Sequence, residues 1–111
     1  MTGNTWYERI IAAHTAVTNN VSHSRRIQSD RYFVWQETGA RDRVLGNRHA
    51  ERAMTGTTWL VTNVEFDPWI AALGDAFDAS PYIAWGLVNA GYDPDNGLWT
   101  YQWDWTVADG S

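Results

Sequence analysis

Residues 99–107 alternate without a break. Trp99, Tyr101, Trp103, Trp105 and Val107 share one parity, and Thr100, Gln102, Asp104 and Thr106 share the other. Successive strand residues point to opposite faces, so this stretch predicts a β-strand with a bulky apolar face and a polar one. Asp93-Pro94-Asp95-Asn96-Gly97 precedes it, with Pro suited to an early turn position and Gly to a positive-φ position. Ile83-Ala84-Trp85-Gly86-Leu87-Val88 lies on the other side of that turn, so residues 82–107 predict a hairpin. A two-stranded hairpin is marginal alone in water. The rest of the chain must therefore cover its aromatic face.

Two segments have the pattern to do so. Thr5-Trp6-Tyr7-Glu8 has the form of a capping box, and Trp6, Ile10, Ala13 and Val17 follow at helical spacing, predicting an amphipathic helix over 5–18. Asp67-Pro68 is a strong helix start, and Trp69, Ile70, Leu73, Ala76 and Phe77 extend it into a second helix over 67–79. Residues 21–29 read as a polar connector. Residues 31–37 are β-branched and aromatic and predict a strand. Residues 38–47, with Gly39, Gly46 and Asn47, read as a long loop, and 49–62 as a second long strand with Trp59-Leu60-Val61 as its buried end. Gly56 within it marks a candidate bulge.

The order α-β-β-α-β-β predicts an α+β fold. It is a two-layer sandwich with two helices packed on one face of a four-stranded, mainly antiparallel sheet. At 111 residues the chain is the size of one domain, 1–111, with a polar tail from about residue 108. No secretory pattern opens it, and no apolar run approaches the roughly 18 residues of a membrane span. The absence of cysteine removes disulfides, thiolate zinc sites and thiol nucleophiles.

The distribution of charge says more than its net value of −5. All eight basic residues are arginines and lie between Arg9 and Arg52; against five acids in that part they leave +3. From Ala53 onward there are eight acids and no base. Such asymmetry predicts a basic and an acidic surface able to pair head-to-tail between copies. The bland alternative is that both signs mix on one surface. Arg41, Arg43 and Arg48 of the long loop, with Arg52 beyond it, can pair bidentately with carboxylates of a neighbour. Asp93, Asp95 and Asp104 are the acidic counterparts, so these seven residues are the candidate subunit or partner interface.

Catalytic patterns are missing from the sequence. His14, His23 and His49 sit in no metal-ligand motif, and His49-Ala50-Glu51 lacks the Pro-Cys-x-x-Cys that a zinc deaminase requires. No phosphate loop, dinucleotide fingerprint or Gly-x-Ser-x-Gly occurs. The expectation is no catalytic residue, no metal and no cofactor. Two other readings stay open. The eight tryptophans suit a monomeric aromatic-rich module that stacks a carbohydrate or other small ligand, although Trp6, Trp59, Trp69 and Trp85 fall at expected core positions and Trp99, Trp103 and Trp105 on the covered face. That leaves Trp35 unassigned. The other is a small hydrolase using Glu51 and Asp104 as a carboxylate pair. The acidic balance disfavours nucleic-acid binding.

A family resemblance rests on longer patterns. The strand Tyr-Phe-Val-Trp-Gln-Glu after Arg31, the loop after it, Trp59-Leu-Val-Thr leading to Glu65-Phe-Asp-Pro-Trp-Ile, and the ending from Ala90 through Gly-Leu into the alternating strand resemble the tail terminator and tail-completion proteins of long-tailed bacteriophages. The resemblance runs from about residue 31 to 107. Abundant Trp and absent Lys are departures from it. It implies a two-layer α/β fold and a ring, typically a hexamer, at the head-proximal end of the tail tube. It further implies a role that ends tube polymerisation and joins tail to head. The implied partners are further copies of the chain, a tail tube protein and a head-completion or neck protein, with DNA passing through the ring and no membrane. The implied location is the virion, after assembly in the host cytoplasm.

Overall fold

A computed structural model describes residues 5–45 and 48–108, with side chains described outside residues 40–52. Two helices, α1 (Trp6–Thr15) and α2 (Trp69–Asp78), lie with five strands: β1 (Val21–His23), β2 (Arg31–Leu45), β3 (Arg48–Thr62), β4 (Ile83–Asp93) and β5 (Leu98–Ala108). The strands form one sheet in the order β1-β2-β3-β5-β4. The β1–β2 pair is parallel and the others are antiparallel. The α+β class and the two helices match the expectation. The four-stranded count does not, because β1 was read as connector.

Three residues without alternation carry no strand signal, so β1 is defined by its partners. Val21, Ser22 and His23 run beside Phe33, Val34 and Trp35. The Ser24 N–H donates to the Trp35 carbonyl at 2.9 Å, and the Phe33 N–H to that of Asn20 at 3.0 Å. His23 stacks on Trp35 at 4.1 Å between ring centres and meets Glu37 at 2.6 Å.

The second correction is larger. Residues 38–45 do not form a loop: β2 and β3 are 15 residues each and pair from Arg31↔Thr62 out to Leu45↔Arg48. The turn residues 46–47 lie outside the described residues. Two register shifts interrupt the ladder, one leaving Thr38 as the extra residue on β2 and one leaving Ala50 extra on β3. β5 stops opposite Ala53, so beyond that point β2 and β3 pair only with each other as a two-stranded arm, roughly 20 Å long at strand rise. The molecule is accordingly elongated, 54 × 26 × 22 Å.

The helices start as the sequence indicates. Thr5 Oγ1 accepts from the Glu8 N–H at 3.3 Å while Glu8 Oε1 accepts from the Thr5 N–H at 3.4 Å, completing the capping box. The Trp69 N–H donates to Asp67 Oδ1 at 2.9 Å, so Asp67 caps α2. Both helices cover the same sheet face, and the core between the layers holds Ile10, Phe33, Trp35, Leu60, Leu73, Phe77, Trp103, Trp105 and Val107. Trp103 and Trp105 are 1% and 2% exposed, which bears out the parity reading of β5. Two tryptophans change places relative to expectation: Trp35 is core, and Trp59 is outside it on the opposite face. Trp99 is half-buried beyond the helices, packed on Tyr92 at 4.5 Å.

The parity of β3 is decided by hydroxyls. Thr58 Oγ1 accepts from Trp105 Nε1 at 2.9 Å and lies 2.9 Å from His14 Nε2; Thr62 Oγ1 donates to Asp67 Oδ2 at 2.6 Å. These partners turn Thr58, Leu60 and Thr62 inward, and Trp59 and Val61 outward. Gly56 is on the inward row directly under Trp105, where an added Cβ would stand 2.2 Å from Trp105 Cη2. Gly56 thus makes room for the indole; the extra bulge residue is Thr38 across the ladder.

Candidate functional site: the assembly surfaces

The arm and the β4–β5 turn lie at opposite ends of the sheet. Thr62 and Trp99 pair at one end and Ala53 and Ala108 at the other. Arg41 and Arg43 on β2, and Arg48 and Arg52 on β3, therefore belong to the arm end. Their side chains are outside the described ones. In register, Asp42 is opposite Arg52 and Arg43 is opposite Glu51. Asp93 and Asp95 are at the other end. The Asp93 carboxylate accepts from the Asp95 N–H at 3.0 Å and from Asn96 Nδ2 at 2.6 Å, which ties the turn. Gly97 completes it at φ 68°. The fold does not bring these four arginines together with Asp93 and Asp95. A heterologous, head-to-tail contact joins two different patches of one molecule.

Asp104 stands on the sheet face that the helices leave open. It is exposed and accepts from Thr57 Oγ1 at 2.9 Å. Thr38, Thr55, Thr57 and Thr106 surround it in an open groove of 380 Å³. Further along the same face lie Val34, Trp59 and Val61, each half-buried. The outer edge of β4 is unpaired among the described residues and exposes Leu87, Val88 and Tyr92. Open sheet edges invite pairing with another chain. The Glu51–Asp104 pair fares badly: Asp104 is opposite Thr57, six residues along β3 from Glu51, which is roughly 20 Å at strand rise. Acid–base carboxylate pairs work at roughly 5–9.5 Å.

Two buried titratable groups, His14 and Asp67, are tied into the structure. His14 is fully buried; its Nδ1 lies 2.7 Å from the Ile10 carbonyl. A carbonyl only accepts, so Nδ1 carries the proton and Nε2 accepts from Thr58, which suits a neutral ring. Burial, partly offset by the Ile10 hydrogen bond, lowers its pKa from 6.5 to about 4. The unfolded chain then binds a proton there that the folded chain refuses. Stability is expected to fall as pH drops from 6.5 to 4, by up to ~3 kcal/mol, and to level off for this group below that. Denaturation midpoints of the wild type and His14→Phe across this window check it; the variant is expected to lose the slope.

Asp67 has a fully buried side chain that accepts four hydrogen bonds from three residues. Arg31 approaches bidentately, Nε to Oδ2 at 2.9 Å and Nη2 to Oδ1 at 2.6 Å, alongside Thr62 and the Trp69 N–H. Burial raises the carboxyl pKa, but these hydrogen bonds outweigh it and hold the group below its usual value. The Arg31 guanidinium also lies 3.8 Å over the Trp69 ring. The residue this clamp presents is Phe66, 85% exposed with φ 54°. A bulky residue in that region is a genuine backbone outlier. In sequence it falls between the predicted strand 49–62 and the helix start at Asp67, and a four-residue link that ends at a fixed cap leaves little freedom to bury it. Among the described residues, no group of three His, Asp or Glu side chains is placed to hold a metal, and no helix is long and apolar enough to cross a membrane.

The fold has a counterpart among solved structures. The chain is similar to one from the virion of a native gene transfer agent particle, at TM-score 0.50 and 10% sequence identity, covering 96% of this chain and 92% of that one. The likeness is one of fold. No family model matches the sequence. No curated protein matches it.

Proposed function

We propose that this chain is a structural virion protein of a long-tailed phage or phage-like particle, without catalytic activity. The observation that carries the reading is the near end-to-end fold correspondence with a gene transfer agent virion chain. The finer role is that of a tail terminator or tail-completion protein. Copies join head-to-tail into a ring, a hexamer by the family resemblance, that caps the tail tube and meets the neck, leaving a lumen for DNA. The opposed basic arm and acidic turn support such a contact, since each copy offers one end to its neighbour. An open β4 edge and an uncovered sheet face add surface for tube and neck partners. The test is assembly state, read by light scattering across protein concentration and salt, alone and with the tail tube protein.

A further inference from the structure

An open groove of 290 Å³ lies between α1 and α2, lined by Arg9, Ala12, Ala13, Ala16, Ala76, Ala79 and Ser80. Five of its seven lining residues are alanines, with Ser80 among them and one cation, Arg9, at its margin. Arg9 donates to the Ala108 carbonyl at 2.6 Å and lies over the Tyr82 ring. Ala108 pairs with Ala53, where the arm begins, so the Arg9 margin belongs to the basic end. Phe66 belongs to the other end, since it follows Thr62 and precedes α2, whose last turn supplies Ala76 and Ala79 to the groove. The ten residues of α2 separate them, roughly 15 Å of helix. Phe66 of one copy therefore cannot enter its own groove.

We infer that the Phe66 ring of one copy inserts between α1 and α2 of the next. Three observations converge on this occupant. First, size suffices: the 290 Å³ of open groove exceeds the roughly 150 Å³ of enclosed space that admits a benzene ring. Second, charge is partly complementary along the same axis: Glu65 flanks the ring and the acidic β4–β5 turn shares its end with the paired Arg31, while the arm arginines share the end of the groove, whose α2 wall also carries Asp75 and Asp78. Third, the ring is presented rigidly. Its turn is fixed by Asp67 with Arg31 and Thr62, by the Val64 N–H on Thr62 Oγ1 at 3.0 Å, and by the Asn63 N–H on the Asp30 carbonyl at 2.9 Å. Pre-organisation lowers the ordering cost of binding. A projecting apolar residue complementary to a pocket elsewhere on the same molecule generates heterologous contacts, hence rings or filaments. The inference rests on the ring reading and supplies its contact.

The chain's lack of cysteine makes the test clean. Single variants Phe66→Cys and Ala12→Cys are mixed and oxidised, and the doubly substituted chain is oxidised alone. The expected result is a mixed disulfide far above either self-pair, and a ladder of oligomers from the double variant. Phe66→Ala and the groove-filling Ala12→Phe, both checked for unchanged thermal melts, are expected to weaken association on the order of 30-fold, as aromatic anchors do. Wild-type chain that assembles while Phe66→Ala assembles equally well overturns this contact and leaves the ring reading intact. A wild-type chain that stays monomeric at every concentration overturns both.

Discussion

Gly56→Ala is expected to destabilise the fold by about 3 kcal/mol, at the upper end for overpacking a close-packed core. The sign runs against ordinary propensity, since glycine inside a strand is worse than alanine by roughly 0.5–1 kcal/mol. Here the new methyl would stand 2.2 Å from Trp105 Cη2 and 2.4 Å from Cζ2. Trp105 cannot easily retreat. Its Nε1 is bound to Thr58 Oγ1 at 2.9 Å, and Trp35 packs against it at 6.3 Å between ring centres. In a Trp105→Phe background the conflicting atoms are gone, and the same Gly56→Ala change is expected to cost under about 1 kcal/mol. Urea midpoints of the four proteins close this double-mutant cycle. Additive costs would remove the steric account of Gly56.

The second large effect is at Arg31. Removing one partner of a buried ion pair typically costs about 3–5 kcal/mol, because the remaining charge is left without its counterpart. Arg31 is itself 32% exposed, and Thr62 and the Trp69 N–H keep two bonds to Asp67, so Arg31→Ala is expected near about 3 kcal/mol. It also removes the cation from the Trp69 face. The loss should depend on pH with a defined sign. Asp67 is held below its ordinary value in the folded chain, so its contribution is present above the usual carboxylate range and lost as pH falls through the lowered folded value. Arg31→Ala is expected to shrink that acid-side loss. Unfolding midpoints from pH 7 to pH 2 measure both.

Sequence alone revealed the covered elements and missed the uncovered ones. β5 was legible because its apolar row, Trp103, Trp105 and Val107, has helices to face. Both helices were legible because capping is local chemistry, carried by Thr5 with Glu8 and by Asp67. The β2 half of the arm, residues 38–45, reads as loop because beyond Ala53 the two strands pair only with each other, whereas the β3 half falls within the predicted strand 49–62. No core imposes a period there, and Gly39, Gly46 and Asn47 then dominate the reading. β3 was read with its buried end at Trp59-Leu60-Val61, three apolar residues in a row that cannot report parity. The information was in Thr58 and Thr62, whose hydroxyls find His14, Trp105 and Asp67 only after folding.

The charge asymmetry was legible along the chain, but where folding would put it was not. Eight arginines before Ala53 and eight acids after it could have been mixed by folding. Folding mixes them in part, since Arg31 pairs with Asp67, while the antiparallel path of β3 and β5 places the Arg41–Arg52 hairpin and the Asp93–Asp95 turn at opposite ends. Phe66 carried no pattern at all, because its exposure follows from the clamp on Asp67 next to it.

The most direct measurement of the central claim is the mass of the assembled species. Light scattering behind size exclusion, run from low to high protein concentration at low and high salt, should find one closed species of about six times the 12.6 kDa chain mass. It should weaken as salt screens the opposed charges. A chain that elutes at 12.6 kDa under every condition, and stays there when tail tube protein is added, would contradict the account.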